Sequence, residues 1–306
     1  MDMFTNIVLT ICTAATPLLI AAIGELVVER SGVLNLGVEG MMIMGAVTGF
    51  AVALSTGNPW LGVFSAIIVG ALFSLLFGFL VISVATNQVA TGLSLTLLGL
   101  GLSGMIGEGF VGEPGVKLTA ISIPGLSEIP VIGKLIFGQD PLFYISIALV
   151  IAVMWFLFRT RTGLTLRSVG DNHHSAHALG ISVQVYRYCA VMFGGACAGL
   201  AGAHLTLVYT TQWIENMSAG RGWIALALVV FASWRPLRVL AGAYLFGAVS
   251  IGQLHAQAIG LGIPSQFLSS LPYLATIIVL VIISQNRRLT MMNTPASLGQ
   301  PFVPAR

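Results

Sequence analysis

Acidic and amide side chains concentrate in one short stretch near the start of the chain, GELVVERSGVLNLGVEGMMIMGA. It carries Glu25, Glu29, Asn35 and Glu39, and five of its 23 residues are glycine. Carboxylates and amides in an otherwise apolar sequence tend to face the interior of a helix bundle or a cavity. Each glycine also makes a regular helix costly, by ~1 kcal/mol. The stretch therefore indicates either a turn between helices or a broken helix in which Asn35 and free backbone groups face a cavity.

A second group of candidate residues lies in the sequence DNHHSAHALG, where His173 and His177 are four positions apart on one helical face. This spacing occurs in metal sites, but zinc needs at least three good ligands, and neither Glu nor Cys stands nearby. We therefore predict no metal and no cofactor. Asp171 or Asn172 could instead cap a short helix that Gly180 ends in the left-handed conformation.

Two nucleotide-binding patterns fail on their sequence context. GLGLSG, which begins at Gly99, matches GxGxxG but lies within an apolar run with no preceding strand. It belongs to a stripe of small residues at helical spacing (Gly92, Thr96, Gly99 and Ser103), which predicts a helix-packing seam. The phosphate-loop pattern GxxxxGK[ST] occurs nowhere. Any ATP hydrolysis linked to this chain must therefore be carried out by another polypeptide.

The amino-acid composition indicates that these polar residues lie among membrane-spanning helices. Of the 306 residues, 57% are hydrophobic and only 8% are charged, and the mean hydropathy is +0.97. A soluble domain carries about a quarter of its residues as charged side chains. We therefore predict an all-α, polytopic integral membrane protein that contacts membrane lipids. The net charge of +3 gives no reason to expect a nucleic-acid partner.

Nine apolar runs can be placed as membrane crossings, each of which needs about 20 residues, although the seventh run is short and the boundaries of the second and seventh are not sharply defined. They cover residues 6–24, 38–56, 59–82, 88–107, 141–158, 186–209, 222–235, 239–259 and 266–285. Together they predict a single transmembrane domain over residues 1–285, followed by a cytoplasmic tail over residues 286–306.

The basic residues predict the orientation. With alternate crossings, ten of the 13 Lys and Arg residues fall on one side, and three fall on the other. The positive-inside rule makes the arginine-rich side cytoplasmic. The N-terminus is then outside and the C-terminus inside. Two loops exceed turn length: an outer loop at about 108–140 and an inner, cytoplasmic loop at about 159–185.

Three segments resemble the membrane permeases of nucleoside and simple-sugar ABC importers, which are related to the ribose and branched-chain amino-acid permeases. These segments are GELVVERSGVLNLGVEGMMIMGA, GLTLRSVGDNHHSAHALGISV and WRPLRVLAGAYLFG. The resemblance extends from about Pro17 to Ile283 and implies a transport subunit of the bacterial plasma membrane rather than an enzyme. It also implies three partners: ABC ATPase subunits, a second and usually unlike permease, and a periplasmic or lipid-anchored substrate-binding protein.

The resemblance implies that a short helix in the inner loop docks into a groove on the ATPase. The residues that match the family there are Gly170, Asp171, Asn172, Ala176 and Gly180. His173 and His174 depart from the family, which usually has small or proline residues at these positions.

Polar residues within or near the predicted spans are candidates for the substrate pathway, because such groups tend to face the bundle interior. They are Asn35, Glu39, His204, Gln253 and Gln257. Trp213 and Trp223 are equally consistent with membrane-interface residues and with residues that stack on a substrate ring.

The leading hypothesis is an importer permease for a small neutral ring compound, with a nucleoside or related base ahead of other solutes. An importer permease for simple sugars is one alternative. An ion-gradient-driven secondary carrier of a small neutral solute is another. A secondary carrier needs a titratable coupling site within the membrane, and Glu39, His204 and His255 show no clear ionisable partner in the sequence.

Overall fold

The computed structural model describes residues 2–121, 137–259, 264–284 and 293–303. Residues 122–136 of the predicted outer loop, and residues 286–292 and 304–306 of the predicted tail, lie outside these ranges. Eleven α-helices are described: α1 (Asp2–Arg30), α2 (Val38–Thr56), α3 (Pro59–Gly78), α4 (Gln88–Gly107), α5 (Pro141–Arg159), α6 (Arg161–Asp171), α7 (His173–Ala178), α8 (Val183–His204), α9 (Arg221–Phe231), α10 (Pro236–Ala258) and α11 (Ser265–Ser284). Single π-helical turns extend α3 over Phe79–Ser83 and α8 over Leu205–Tyr209.

Seven of these helices are long and apolar enough to cross a membrane: α1, α2, α3, α4, α5, α8 and α10. Several begin at the polar residue that directly precedes the apolar run. The side chain of Asn58 accepts a hydrogen bond from Trp60 N, and Asn87 accepts one from Ala90 N. Asp140 caps α5 in the same way. The predicted polytopic, helical membrane class is confirmed, whereas the count of nine crossings and the orientation stay predictions.

The seventh predicted crossing, the shortest of the nine runs, forms only a short helix. Helix α9 has only 11 residues, so it is about 16 Å long and covers roughly half of a 30 Å hydrocarbon core. The segment from Leu207 to Trp234 nevertheless runs from one end of the helix bundle to the other. Leu207 O accepts a hydrogen bond from Leu118 N at one end, and Trp234 O accepts one from Arg30 Nη2 at the other. A non-helical loop before α9 therefore supplies the rest of this passage.

Close backbone contacts hold α2, α3 and α8 together at the centre of the bundle. A Cβ atom added to Gly45 would overlap the backbone of Gly199, and one added to Gly70 would overlap Gly195 O. Small residues of this kind let membrane helices approach until their backbones touch. The predicted seam on α4 is also confirmed, because a Cβ atom on Gly99 would lie 2.7 Å from Gly40 Cα.

We expect a labelling experiment to test the orientation. In a variant whose three cysteines are replaced by serine, Lys117→Cys should react with an impermeant maleimide added outside intact cells. Ser175→Cys should react only after permeabilisation, because α5 separates the two exposed positions. Labelling of Ser175→Cys alone in intact cells would reverse the predicted orientation.

Candidate functional site

The polar stretch forms a break between α1 and α2. Residues 31–37 are non-helical and mostly buried. Asn35 is fully buried beside Glu25, more than one turn before the end of α1, so the chain turns back into the bundle. Its backbone N and Nδ2 donate to the two Glu25 carboxylate oxygens at 3.3 and 3.2 Å, and its Oδ1 accepts from Gly37 N at 3.0 Å. Asn35 thus builds the break, and these bonds occupy its side-chain amide.

Glu39 joins the start of α2 to the start of α9. Its Oε1 accepts a hydrogen bond from Gly220 N at 2.7 Å, and its Oε2 accepts one from Gly222 N at 2.6 Å. These amides are free donors at a helix N-terminus, where a carboxylate is favoured by the helix dipole. Gly222 permits this approach, since a Cβ atom there would lie 2.6 Å from Glu39 Cα. Glu39 is buried. Its partners Gly220 and Gly222 are more than 180 residues away in the chain, so only the folded structure reveals them.

A cavity of about 700 Å³ lies beside Glu39, between α4, α9 and α11. Among the described residues that line it, Glu39 is the only one with a charged side chain. Trp223 and Tyr273, which also line the cavity, are 46% and 51% exposed. Asn216 adds an exposed amide. A cavity with two aromatic rings and few polar groups suits a small, neutral, flat solute.

The loop before α9 forms one wall of this cavity in an unusual backbone conformation. Thr211, Asn216 and Ala219 have positive φ angles of 53°, 57° and 47°. Such conformations in residues other than glycine cost of order 1–3 kcal/mol each, so other contacts must hold the loop in place. Glu39 supplies one of those contacts through its bond to Gly220 N.

His204 does not line this cavity. It is fully buried on α8, with its Nε2 atom 3.8 Å from Asp140 Oδ2. The expectation that no intramembrane candidate has an ionisable neighbour is therefore wrong for His204. Burial alone would raise the pKa of Asp140, but the adjacent His204 and the backbone amides of Leu142 and Phe143 together lower it. This pair joins α8 to the first residue before α5.

Gln253 and Gln257 lie on α10, and neither lines the Glu39 cavity. Both are partly exposed. Gln253 Oε1 is buried without a hydrogen-bond partner among the described residues. Trp213, which was a candidate for stacking, is 2% exposed and belongs to the same buried cluster as Phe50. Of the two tryptophans, only Trp223 lies at the cavity.

The predicted inner loop contains two helices, α6 and α7, rather than one. Asn172 caps α7, because its Oδ1 accepts a hydrogen bond from Ser175 N at 2.9 Å. Gly180 follows with a φ of +82°, the left-handed conformation expected at the end of the helix. Both capping features agree with the sequence analysis.

The five matching residues of this loop face in two directions. Asp171, Asn172 and Gly180 are exposed, whereas Gly170 and Ala176 are buried. A Cβ atom on Gly170 would overlap Arg30 O, and Ala176 packs in a cluster with Phe302. Gly170 and Ala176 therefore contact the rest of this chain rather than presenting a surface to another protein.

Leu179, which the sequence analysis did not select, is 81% exposed at the tip of the loop. An apolar residue directly before a left-handed glycine at a helix end was the signal that could have identified it. An isolated apolar side chain needs no explanation on an ordinary surface.

The three histidines of α7 surround an aromatic ring. The rings of His173, His174 and His177 lie 5.3, 5.8 and 5.3 Å from that of Phe302. His173 Nδ1 also lies 3.2 Å from Arg187 Nη2. Because a guanidinium can only donate, Nδ1 must accept, and the neutral form of His173 is favoured. Burial and the adjacent Arg187 lower the pKa of His173 to about 4.

Comparisons with known proteins agree on one family. A model of the family described as branched-chain amino acid transport system/permease component matches residues 7–284. The putative glucose ABC transporter permease protein TsgC13 of Haloferax volcanii is 42% identical over 94% of both chains. The nucleoside ABC transporter permease protein NupC of Lactococcus lactis is 34% identical over 88% of this chain and 89% of its own.

The guanosine ABC transporter permease protein NupQ of Bacillus subtilis is also 34% identical, over 87% of this chain and 88% of its own. No solved structure matches the chain.

Proposed function

Because the chain belongs to the family of branched-chain amino acid transport system permease components, we propose that it forms the pathway by which an ATP-driven importer moves a nucleoside or related base. It is a multi-pass protein of the bacterial plasma membrane and a transport subunit rather than an enzyme. Membership of the family implies an ATPase subunit and a substrate-binding protein as partners. This membership also sets aside the secondary-carrier alternative.

The Glu39 cavity carries the proposal for the substrate. Glu39 already accepts two backbone hydrogen bonds, so its charge is largely compensated. An anionic solute would lose its hydration without gaining an opposite charge from the described lining, and a cationic one would meet only a carboxylate that already accepts two hydrogen bonds. A nucleobase could stack on Trp223 or Tyr273, and Asn216 could donate to or accept from its edge.

A simple sugar is the second candidate, favoured by the 42% identity to a putative glucose permease. Sugar rings also present an apolar face to aromatic side chains. A nucleobase is flat, whereas a sugar ring is puckered and carries more hydroxyl groups. The same cavity could bind either compound.

A second permease chain is part of the proposal. Trp223 and Tyr273 are about half exposed, so this chain alone does not enclose the cavity. A second permease placed against α4, α9 and α11 would close it. An unlike permease would supply a different opposite wall.

Among the predicted pathway residues, we assign Glu39 to the cavity wall and Asn35 to a positioning role in the break. His204, Gln253 and Gln257 stay predictions from the sequence. For coupling, we assign the ATPase contact to the tip of the loop, with Asn172 and Gly180 shaping α7 and Leu179 entering the partner's groove. Asp171 lies beside this surface, and Gly170 and Ala176 support it from below.

The substrate can be tested by reconstituting the complete importer in proteoliposomes. We expect ATP-dependent uptake of a labelled nucleoside, with unlabelled nucleosides as competitors and glucose without effect. Glucose uptake that nucleosides do not inhibit would replace the nucleoside assignment with the sugar assignment. Uptake driven by a proton or sodium gradient without ATP would contradict the importer mechanism itself.

A further inference from the structure

The C-terminal segment folds back onto the bundle as a strap, which we define as residues 293–302. Ser297 N donates to Gly170 O at 2.9 Å, and Gly299 N donates to Gly32 O at 3.1 Å. Arg30 Nη1 donates to Asn293 O at 3.0 Å. The strap therefore bonds both to the end of α6 and to the break between α1 and α2.

Arg187 ties the strap to α7 in the inner loop, which we call the coupling loop from here on. It is 1% exposed near the start of α8. Its Nη1 donates to Gln300 O at 3.2 Å and its Nε to Ser31 O at 3.3 Å, while Nη2 lies 3.2 Å from His173 Nδ1. One guanidinium thus joins the strap, the break and α7. Arg is suited to this role because its donors have a fixed, planar arrangement.

Phe302 inserts the end of the strap beneath α7. It is 5% exposed and shares a cluster with Ala176, Val169 and Val183. The three imidazole rings of α7 surround it at the distances given above. Phe302 is the largest apolar side chain of the strap and is buried, which makes it the main apolar anchor of this part of the strap.

From these contacts, we infer that the strap positions α7 for its contact with the ATPase, and that Phe302 is its anchor. Helix α7 has six residues, far fewer than an isolated helix needs to persist in water. Its orientation must therefore come from what lies beneath it, and Phe302 and Arg187 occupy that place. The inference rests on the proposed coupling role of α7. It adds that the strap also connects α7, through Ser31 and Gly32, to the break that carries Glu39.

The test compares Phe302→Ala with two matched variants in the reconstituted importer. Phe302→Tyr keeps the ring, and Val303→Ala removes an apolar side chain that is 63% exposed. We expect Phe302→Ala to insert and to retain basal ATP hydrolysis, while stimulation by the substrate-binding protein falls about 10-fold. Phe302→Tyr and Val303→Ala should keep wild-type stimulation.

A spin label at Ser175→Cys gives a readout that a loss of overall stability would not produce. The label should become more mobile in Phe302→Ala and remain unchanged in Val303→Ala. If Phe302→Ala fails to insert, Ser297→Pro replaces it. Proline removes the N–H that Gly170 O accepts, whereas Ser297→Ala keeps that N–H and serves as its control.

Wild-type stimulation in an inserted Phe302→Ala or Ser297→Pro variant would overturn the inference. A Leu179→Asp variant separates this failure from a failure of the proposed coupling surface. If Leu179→Asp uncouples the importer while the strap variants do not, only the role of the strap is wrong. If neither change has an effect, the assignment of α7 to the ATPase contact is wrong as well.

Discussion

Replacing Glu39 by alanine is expected to reduce substrate uptake by about 100-fold while leaving the protein inserted in the membrane. The variant removes the acceptor for both Gly220 N and Gly222 N. Hydrogen bonds to a charged group contribute about 1.5–3 kcal/mol each, so the loop before α9 loses a contact that offsets its strained backbone. The cavity wall would no longer keep its shape. Uptake by the reconstituted importer measures this effect.

Two substitutions control for the loss of a carboxylate. Glu39→Gln keeps one carbonyl acceptor but directs an NH₂ group at the other amide, so we expect an intermediate loss of about 10-fold. Glu108→Ala removes an exposed acidic side chain beyond the end of α4 and should transport like the wild type. Wild-type uptake by Glu39→Ala would remove Glu39 from the cavity mechanism.

The second large effect is expected at the tip of the coupling loop. Leu179→Asp should leave the isolated permease as stable as the wild type, because Leu179 is 81% exposed. In the complex, it would place an unpaired charge in the apolar contact that we propose for Leu179, which is costly. We expect ATP hydrolysis stimulated by the substrate-binding protein, and with it uptake, to fall about 50-fold.

Leu179→Met keeps an apolar side chain of similar volume and should preserve stimulation. Gly180→Val reaches the same loop through the backbone. A β-branched residue resists the φ of +82° at that position, so α7 would end differently and stimulation should fall. If Leu179→Asp and Gly180→Val assemble and are both stimulated normally, the ATPase contact lies elsewhere.

Hydropathy predicted the long helices well because each is a local property of about 20 consecutive residues. The bounds of α2 and α4 agree with their apolar runs, and Asn58, Asn87 and Asp140 cap helices as polar residues before such runs usually do. The length of α9 was not predictable in this way. Its apolar run extends to Arg235, but the helix ends at Phe231, where Ser233 and Trp234 adopt positive φ angles.

The roles of the candidate site residues were harder to predict from the sequence than the helices. Asn35 and Glu39 are four residues apart and were equivalent as pathway candidates. Asn35 bonds to Glu25, ten residues away, whereas Glu39 bonds to Gly220 and Gly222, more than 180 residues away. Only a local pairing leaves a signal in the spacing of a sequence. The strap was missed for the same reason, because Ser297 meets Gly170 across more than 120 residues.

The glycine contacts of α2, α3 and α8 bear on how this protein can move. Where backbones touch, as at Gly45 and Gly199 or at Gly70 and Gly195, no layer of side chains remains to slide or repack. We therefore expect these three helices to move as one rigid unit during the transport cycle. Movement is easier to accommodate where the backbone already departs from helical geometry, as in the loop before α9. Glu39 on α2 bonds to the first amides of α9, so any movement of α9 away from α2 would have to break these two hydrogen bonds.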